Sequence, residues 1–99
     1  MNKGRPIKPR TIRREPEIRQ FSPRGRVGRP GYIDLKLEEF EAIRLADFNG
    51  HDQAESAKKM RISQQTFSRV LKNARQRLAE ALIKGDIIRI SGGVFKVEK

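Results

Sequence analysis

The sequence predicts a mainly α-helical domain of three helices, preceded by an extended basic arm and followed by a small β-hairpin. All five prolines stand in residues 1–31, and this excludes a long helix there because proline lacks a backbone donor. Residues 32–85 contain strong helix formers with apolar side chains at helical spacing. Residues 86–99 contain apolar side chains in alternation about a Gly-Gly pair, which predicts the hairpin.

The charge of the chain points to a negatively charged partner. Ninety-nine residues make one small domain, yet Lys and Arg number 23 against 12 Asp and Glu, for a net charge of +11. A charge of this size repels itself, and it is usually retained because it attracts nucleic acid, an anionic membrane surface or an acidic protein. Residues 1–31 carry +8, residues 32–49 carry −3 and residues 50–83 carry +4. This uneven distribution is typical of a binding protein with one face turned toward an anion.

Several classes of function are excluded by what the sequence lacks. It has no cysteine, so disulfides, a thiolate nucleophile and a cysteine-based zinc site are ruled out. No apolar run approaches the roughly 20 residues that span a bilayer, and no apolar segment follows the basic N-terminus as a secretory signal would require. No P-loop, serine-hydrolase or zinc-protease motif occurs. We therefore expect a cytoplasmic protein that has no enzymatic activity, metal or cofactor and does not contact a membrane.

The first two predicted helices begin and end at suitable residues. Leu35–Phe48 has good helix formers and no breaker, and its apolar residues cover so wide an arc that most of the helix should be surrounded by protein. Gly50 suits a left-handed helix end. Asp52 is expected to cap a second helix, with Glu55 completing a capping box, and this helix should reach about Met60.

The third predicted helix has the clearest periodicity in the chain. Ser63 offers a hydroxyl to cap its start and Gly85 marks its end. Polar and basic side chains occupy the face that should meet solvent. The opposite face is a single apolar stripe at steps of three and four residues, formed by Phe67, Val70, Leu71, Ala74, Leu78, Ala81 and Leu82.

The C-terminal hairpin is predicted to turn at Gly92-Gly93. Pairing across that turn places Ile90 opposite Phe95 and Ile88 opposite Val97, all on one side of the ribbon. An isolated hairpin is not stable in water, so the apolar side of this one should pack on the helices.

A short helix, a three-residue turn and a longer helix form the pattern of a helix-turn-helix unit that binds DNA. In that geometry the longer helix enters the major groove, and Gln64, Gln65 and Arg69 occupy the positions that contact base edges. Glutamine bonds N6 and N7 of adenine, and arginine bonds O6 and N7 of guanine. Other donors and cations on this helix are expected to contact phosphate, namely Ser63, Thr66, Ser68, Lys72 and Arg75.

The segments EAIRLAD, SQQTFSRVL followed by AR, and RISGG, together with FSPRG in the arm, resemble the domain of unknown function 134 family, also called uncharacterised protein family 0251. The helical part of that family is similar to the fourth region of sigma factors. The resemblance therefore implies a sigma-region-4-like helix-turn-helix, DNA binding and a prokaryotic protein. As a DNA binder, the protein is expected to be nucleoid-associated. Family members often have cysteines in the arm; because this chain has none, no metal role is carried over. Arg61 stands where the family usually has glycine, at a cost of about 1 kcal/mol if its backbone is left-handed.

The basic arm is a second candidate contact. Gly-Arg-Pro occurs at 4–6 and 28–30, and Pro-Arg-Gly-Arg at 23–26. An extended Gly-Arg-Pro unit resembles the core of an AT-hook, which lays arginines along a narrow minor groove. Minor-groove contact and general attraction to phosphate both remain open. The candidate cations of the arm are Arg5, Lys8, Arg10, Arg24, Arg26 and Arg29.

We interpret the chain as a sequence-specific binder of double-stranded DNA and a transcriptional regulator. One alternative is a nucleic-acid binder without base readout, associated with the nucleoid or RNA. Another is an interaction module whose acidic first helix docks RNA polymerase or another protein. A homodimer on two half-sites is also left open. The acids of the first helix, expected at its surface, are Glu38, Glu39, Glu41 and Asp47.

Overall fold

A computed structural model describes residues 9–25 and 28–97. Three helices form the centre of the molecule, as predicted, and five short strands lie around them. Within the described ranges, no helix is long and apolar enough to cross a bilayer. In chain order the elements are β1 (Arg10–Ile12), β2 (Gln20–Phe21), β3 (Tyr32–Leu35), α1 (Leu37–Ile43), a π-helical turn (Arg44–Phe48), α2 (Gln53–Met60), α3 (Gln64–Lys84), β4 (Ile87–Ile90) and β5 (Phe95–Val97).

The predicted caps of α2 and α3 are confirmed, but the predicted capping box of α2 is only half formed: in the described ranges the Glu55 carboxylate lies 3.3 Å from His51 Nδ1 and does not bond to the Asp52 N–H. The Asp52 carboxylate accepts the Glu55 backbone N–H at 2.8 Å, and the Ser63 hydroxyl accepts the Thr66 backbone N–H at 3.0 Å. Between the two helices Arg61 has φ 57° and ψ 44°, so this non-glycine residue does adopt the left-handed conformation, which costs roughly 1 kcal/mol. Gly85 ends α3 with φ 70°. The turn and both ends of α3 therefore lie where the sequence predicts them.

The first helix is shorter and less regular than predicted. Leu35 belongs to β3, where it pairs with Ile90 of β4, and the helix begins only at Leu37. The Lys36 backbone N–H donates to the Glu39 carboxylate at 2.9 Å and so fixes this start. At the other end the helix widens, and the Asn49 N–H donates to the carbonyl of Arg44, five residues earlier. Sheet pairing has overridden the helix propensity at the N-terminal end.

The predicted C-terminal hairpin is wrong in its pairing. Both strands form, but β4 pairs antiparallel with β2 and parallel with β3, whereas β5 pairs parallel with β1. Gly92 and Gly93 both have positive φ, yet they carry the chain past the start of α1 without forming a tight turn. There the Leu37 N–H donates to the Gly92 carbonyl at 3.1 Å. Two of the three partner strands, β1 and β2, belong to the N-terminal segment that the sequence predicts to be an extended arm.

Part of the basic arm is built into the core. The Ile12 side chain in β1 is fully buried, and Thr11 beside it is nearly so. Strand β2 also forms in the arm, but Ile18 and Phe21 are each more than half exposed, so this part of the arm buries little apolar surface. The arm therefore contributes one buried strand and one exposed edge strand to the fold.

Two apolar clusters share α3. One lies between α3, β1 and the three-stranded sheet, and the other lies between α3, α2 and the first helix; Ala57 is almost completely buried in the second, as a close helix crossing requires. Ser56 is also fully buried there, and its hydroxyl has no hydrogen-bond partner in the described ranges. Leu82 departs from the predicted stripe, since it is 78% exposed. Ala81 makes the core contact, and the next residue is turned by about 100° around the helix.

Gly93→Ala is expected to destabilise the protein by at least about 1 kcal/mol more than Gly92→Ala. Both glycines have positive φ, so an added Cβ strains the backbone at either position. At Gly92 the Cβ meets nothing within 4 Å, but at Gly93 it would overlap the Glu38 carboxylate. That carboxylate accepts the Val94 N–H at 3.0 Å and would have to move. Urea unfolding of the two variants measures the difference, and equal midpoints would contradict the predicted overlap.

Candidate nucleic-acid interface

The N-terminal half of α3 presents a polar face next to α2. Gln64, Gln65 and Arg69 are exposed there, as is Lys72 one turn further on. Together with Gln53 of α2 they border a shallow depression between the two helices. In the part of the chain that the structure describes, no hydrogen bond or ion pair engages the side chains of these four α3 residues. The structure thus brings the three predicted base-contacting residues together and leaves their polar groups available.

The three hydroxyls predicted to contact phosphate already have local roles. The Ser63 hydroxyl caps α3 and also donates to the Thr66 hydroxyl at 2.9 Å. Ser68 donates to the Gln53 amide oxygen at 2.6 Å and so links α3 to the start of α2. These bonds hold the first two turns of α3 in place. The same oxygens still have lone pairs or a hydrogen that can face a ligand.

Arg75, also predicted to contact phosphate, is paired with a carboxylate. Its guanidinium donates to both oxygens of Asp47 at 2.6 and 3.2 Å. These hydrogen bonds raise the pKa of Arg75 above its ordinary value, and the pair ties the π-helical turn to the middle of α3. Lys72 has no such partner among the described residues. Of the two α3 cations predicted to contact phosphate, Lys72 is therefore the one whose charge is not offset by a carboxylate of the described residues.

The candidate cations of the arm fall into three groups. Arg5, Lys8 and Arg26 lie outside the described residues. Arg24 and Arg29 are exposed between β2 and β3. They do not border the depression between α2 and α3, nor a second depression on another side of Arg69. Arg10, by contrast, lies in β1 and borders this second depression together with Arg69.

The glutamates of the first helix are buried, contrary to the expectation that they lie at its surface. Glu38 and Glu39 accept backbone N–H groups from Val94 and Lys36. Glu41 is completely buried and accepts two bonds from Arg44, both at 2.8 Å. The bond to Glu41 raises the pKa of Arg44. These acids satisfy donors inside the protein, and only Asp47 of the predicted acidic surface remains exposed.

Two polar residues beside the site, Gln53 and Lys36, were missed by sequence reasoning. Gln53 is the first residue of α2, and its position opposite Ser68 follows from the crossing of two helices, which no local pattern reveals. The sequence predicts Lys36 to lie inside a continuous helix, because the strand before it has no clear local signal. A cluster of three or more His, Asp or Glu that could hold a metal ion is not found in residues 9–25 and 28–97.

Comparison with known proteins places the chain in a family. A family described as "Protein of unknown function DUF134" matches residues 1–98. The chain belongs to this family. A UPF0251 protein from Halothermothrix orenii is 47% identical over 97 residues, which cover 97% of this chain and 72% of the relative. No solved structure gives a significant match.

Other UPF0251 relatives come from bacteria and archaea. One from Caldicellulosiruptor bescii is 47% identical over 91 residues, covering 92% of this chain and 64% of the relative. One from Methanococcus maripaludis is 41% identical over 98 residues, covering 98% of this chain and 75% of the relative. The family membership expected from the sequence motifs is confirmed, and these UPF0251 relatives are longer than this chain.

Proposed function

We propose that this UPF0251 protein binds double-stranded DNA in a sequence-specific manner through α3 and acts as a transcriptional regulator. The observation that carries the proposal is the face formed by Gln64, Gln65 and Arg69. Their side chains have no hydrogen-bonding or ion-pair partner in the described ranges, and they stand on the first two turns of a helix in a chain of net charge +11.

The dimensions of α3 suit a major groove. The helix has 21 residues and is therefore about 31 Å long, and a major groove about 12 Å wide admits one helix. The left-handed turn at Arg61 sets the direction of α3 relative to α2, and the Ser63 cap orders its first turn. A helix whose backbone is already ordered loses less entropy on binding than a mobile segment. These features support the proposal of a helix-turn-helix in which α3 reads bases and Lys72 contacts phosphate.

The two alternative functions are less well supported. Binding by charge alone does not require the clustering of two amides and a guanidinium on one helix face. Docking of RNA polymerase on an acidic α1 would use glutamates that are buried and already hydrogen-bonded. Asp47 remains exposed but is paired with Arg75. Homodimerisation is compatible with the proposal, since a single helix-turn-helix covers few base pairs.

Selection of bound duplexes from a random DNA library, at near-physiological salt, tests the proposal. We expect a recurrent motif of a few base pairs, and a palindromic motif would also indicate a dimer. Tight binding at low salt without any enriched sequence would contradict base readout and favour the charge-only alternative. The preferred duplex obtained in this way is the DNA ligand for binding measurements on variants.

A further inference from the structure

A second depression, here named the β1-side depression, lies between α3, β1 and the start of α1. It is bounded by Arg10 of β1, by Lys36 just before α1, and by Arg69 and Asn73 of α3. Arg69 also borders the depression between α2 and α3. Its side chain therefore stands between two concave surfaces that flank the exposed face of α3.

The charge of the β1-side depression is positive despite two acids in its wall. Arg10 comes from β1, Lys36 from the junction between β3 and α1, and Arg69 from α3. Glu38 and Glu39 also border it, but both are buried and accept backbone hydrogen bonds. Glu39 in addition lies 3.6 Å from the Arg77 guanidinium. Across residues 9–25 and 28–97, no carboxylate forms an ion pair with Lys36 or Arg69.

In a major groove, the two depressions that flank α3 would face different DNA strands. A helix in the groove lies between two sugar–phosphate backbones, one from each strand, and contacts to phosphates on either side set its register and orientation. Lys72 stands at the α2-side depression, where it can reach one backbone. Arg10 and Lys36 stand at the opposite flank of the exposed α3 face.

We propose that Lys36, beside Arg10, binds backbone phosphates of the DNA strand opposite to the one contacted by Lys72. This inference rests on the proposed binding of DNA by α3. Strand β1 contributes to this flank, because parallel pairing with β5 holds Arg10 opposite Phe95 and Arg10 borders the same depression as Lys36. Lys36 is held by the bond from its own N–H to Glu39.

Lys36→Ala tests the proposed phosphate contact through the salt dependence of binding. Loss of one contact lowers the slope of log affinity against log salt by about one and weakens binding about fivefold at 0.15 M salt. The loss should be the same on the preferred duplex and on a scrambled one, because phosphates carry no sequence information. Lys36→Arg should retain the wild-type slope. Lys84→Ala is the matched control, since this lysine lies at the far end of α3 and pairs with Glu80 at 3.2 Å.

Phosphate-ethylation interference on the preferred duplex tests the assignment to strands. Ethylation of particular phosphates should inhibit the wild-type protein but no longer inhibit Lys36→Ala, and those phosphates should lie on the strand opposite to the ones affected by Lys72→Ala. An unchanged salt slope for Lys36→Ala, or loss of contacts on the same strand as Lys72→Ala, would overturn the inference. The slope measurement needs only duplex binding, so it stands or falls separately from base readout, which the library selection decides.

Discussion

Arg69→Ala should weaken binding to the preferred duplex by about 1–3 kcal/mol and relax the preference at one base pair. Arg69 is exposed and reaches no carboxylate within the described chain, so its five donors are available to a base edge. Arginine bonds O6 and N7 of guanine together, and alanine removes both bonds. Titration of duplexes that carry each of the four base pairs at every position of the motif measures both effects.

Arg75→Ala is the matched control for Arg69→Ala. Arg75 lies on the same helix but is already paired with Asp47, so its removal should produce a smaller loss that is equal for all duplexes. If Arg69→Ala lowered the affinity equally for every sequence, its guanidinium would be a phosphate contact and base readout would be refuted for this residue. A change of preference with Arg75→Ala would place the base-reading face further along α3 than we propose.

The helices could be predicted from the sequence because their signals are local. Ser63, Asp52 and Gly85 each act on backbone groups within a few residues, and helical periodicity is a property of a single segment. Strand pairing depends on residues far apart in the chain. Gly92 and Gly93 do adopt the positive φ values that a Gly-Gly turn predicts. However, β4 and β5 pair with β1, β2 and β3, which lie more than 50 residues earlier, and do not pair with each other.

The candidate site was predictable to the same extent as the helix that carries it. The position of Gln64, Gln65 and Arg69 on one exposed face follows from helix geometry once the start of α3 is known. Lys36 and Arg10 lie at the other flank of α3 because β3 and β1 pair with strands far away in the chain. Their position near Arg69 therefore has no local signal in the sequence. Burial of the first-helix glutamates was likewise hidden, because charged residues on a helix are mostly exposed.

Glu41→Gln is expected to lower the free energy of unfolding by about 2–3 kcal/mol. Glu41 is fully buried and binds the Arg44 guanidinium through both oxygens. Removing one partner of a buried ion pair costs about 3–5 kcal/mol, and we reduce this figure because solvent can rehydrate part of the other partner. The Arg44 side chain is indeed 22% exposed. Glutamine preserves the volume, so no cavity contributes to the measured loss.

The same substitution should loosen the connection between the arm and the helices. The Arg13 backbone N–H donates to Glu41 at 3.0 Å just after β1, so Glu41 holds both α1 and the segment that follows Arg10. Urea unfolding with a fitted slope gives the stability of the variant. Asp47→Asn is the matched control, because its pair with Arg75 is exposed and such pairs contribute only about 0–1 kcal/mol. If the two substitutions lowered the free energy of unfolding equally, Glu41 would not be acting as a buried ion-pair partner. The position of Arg10 would then need another cause.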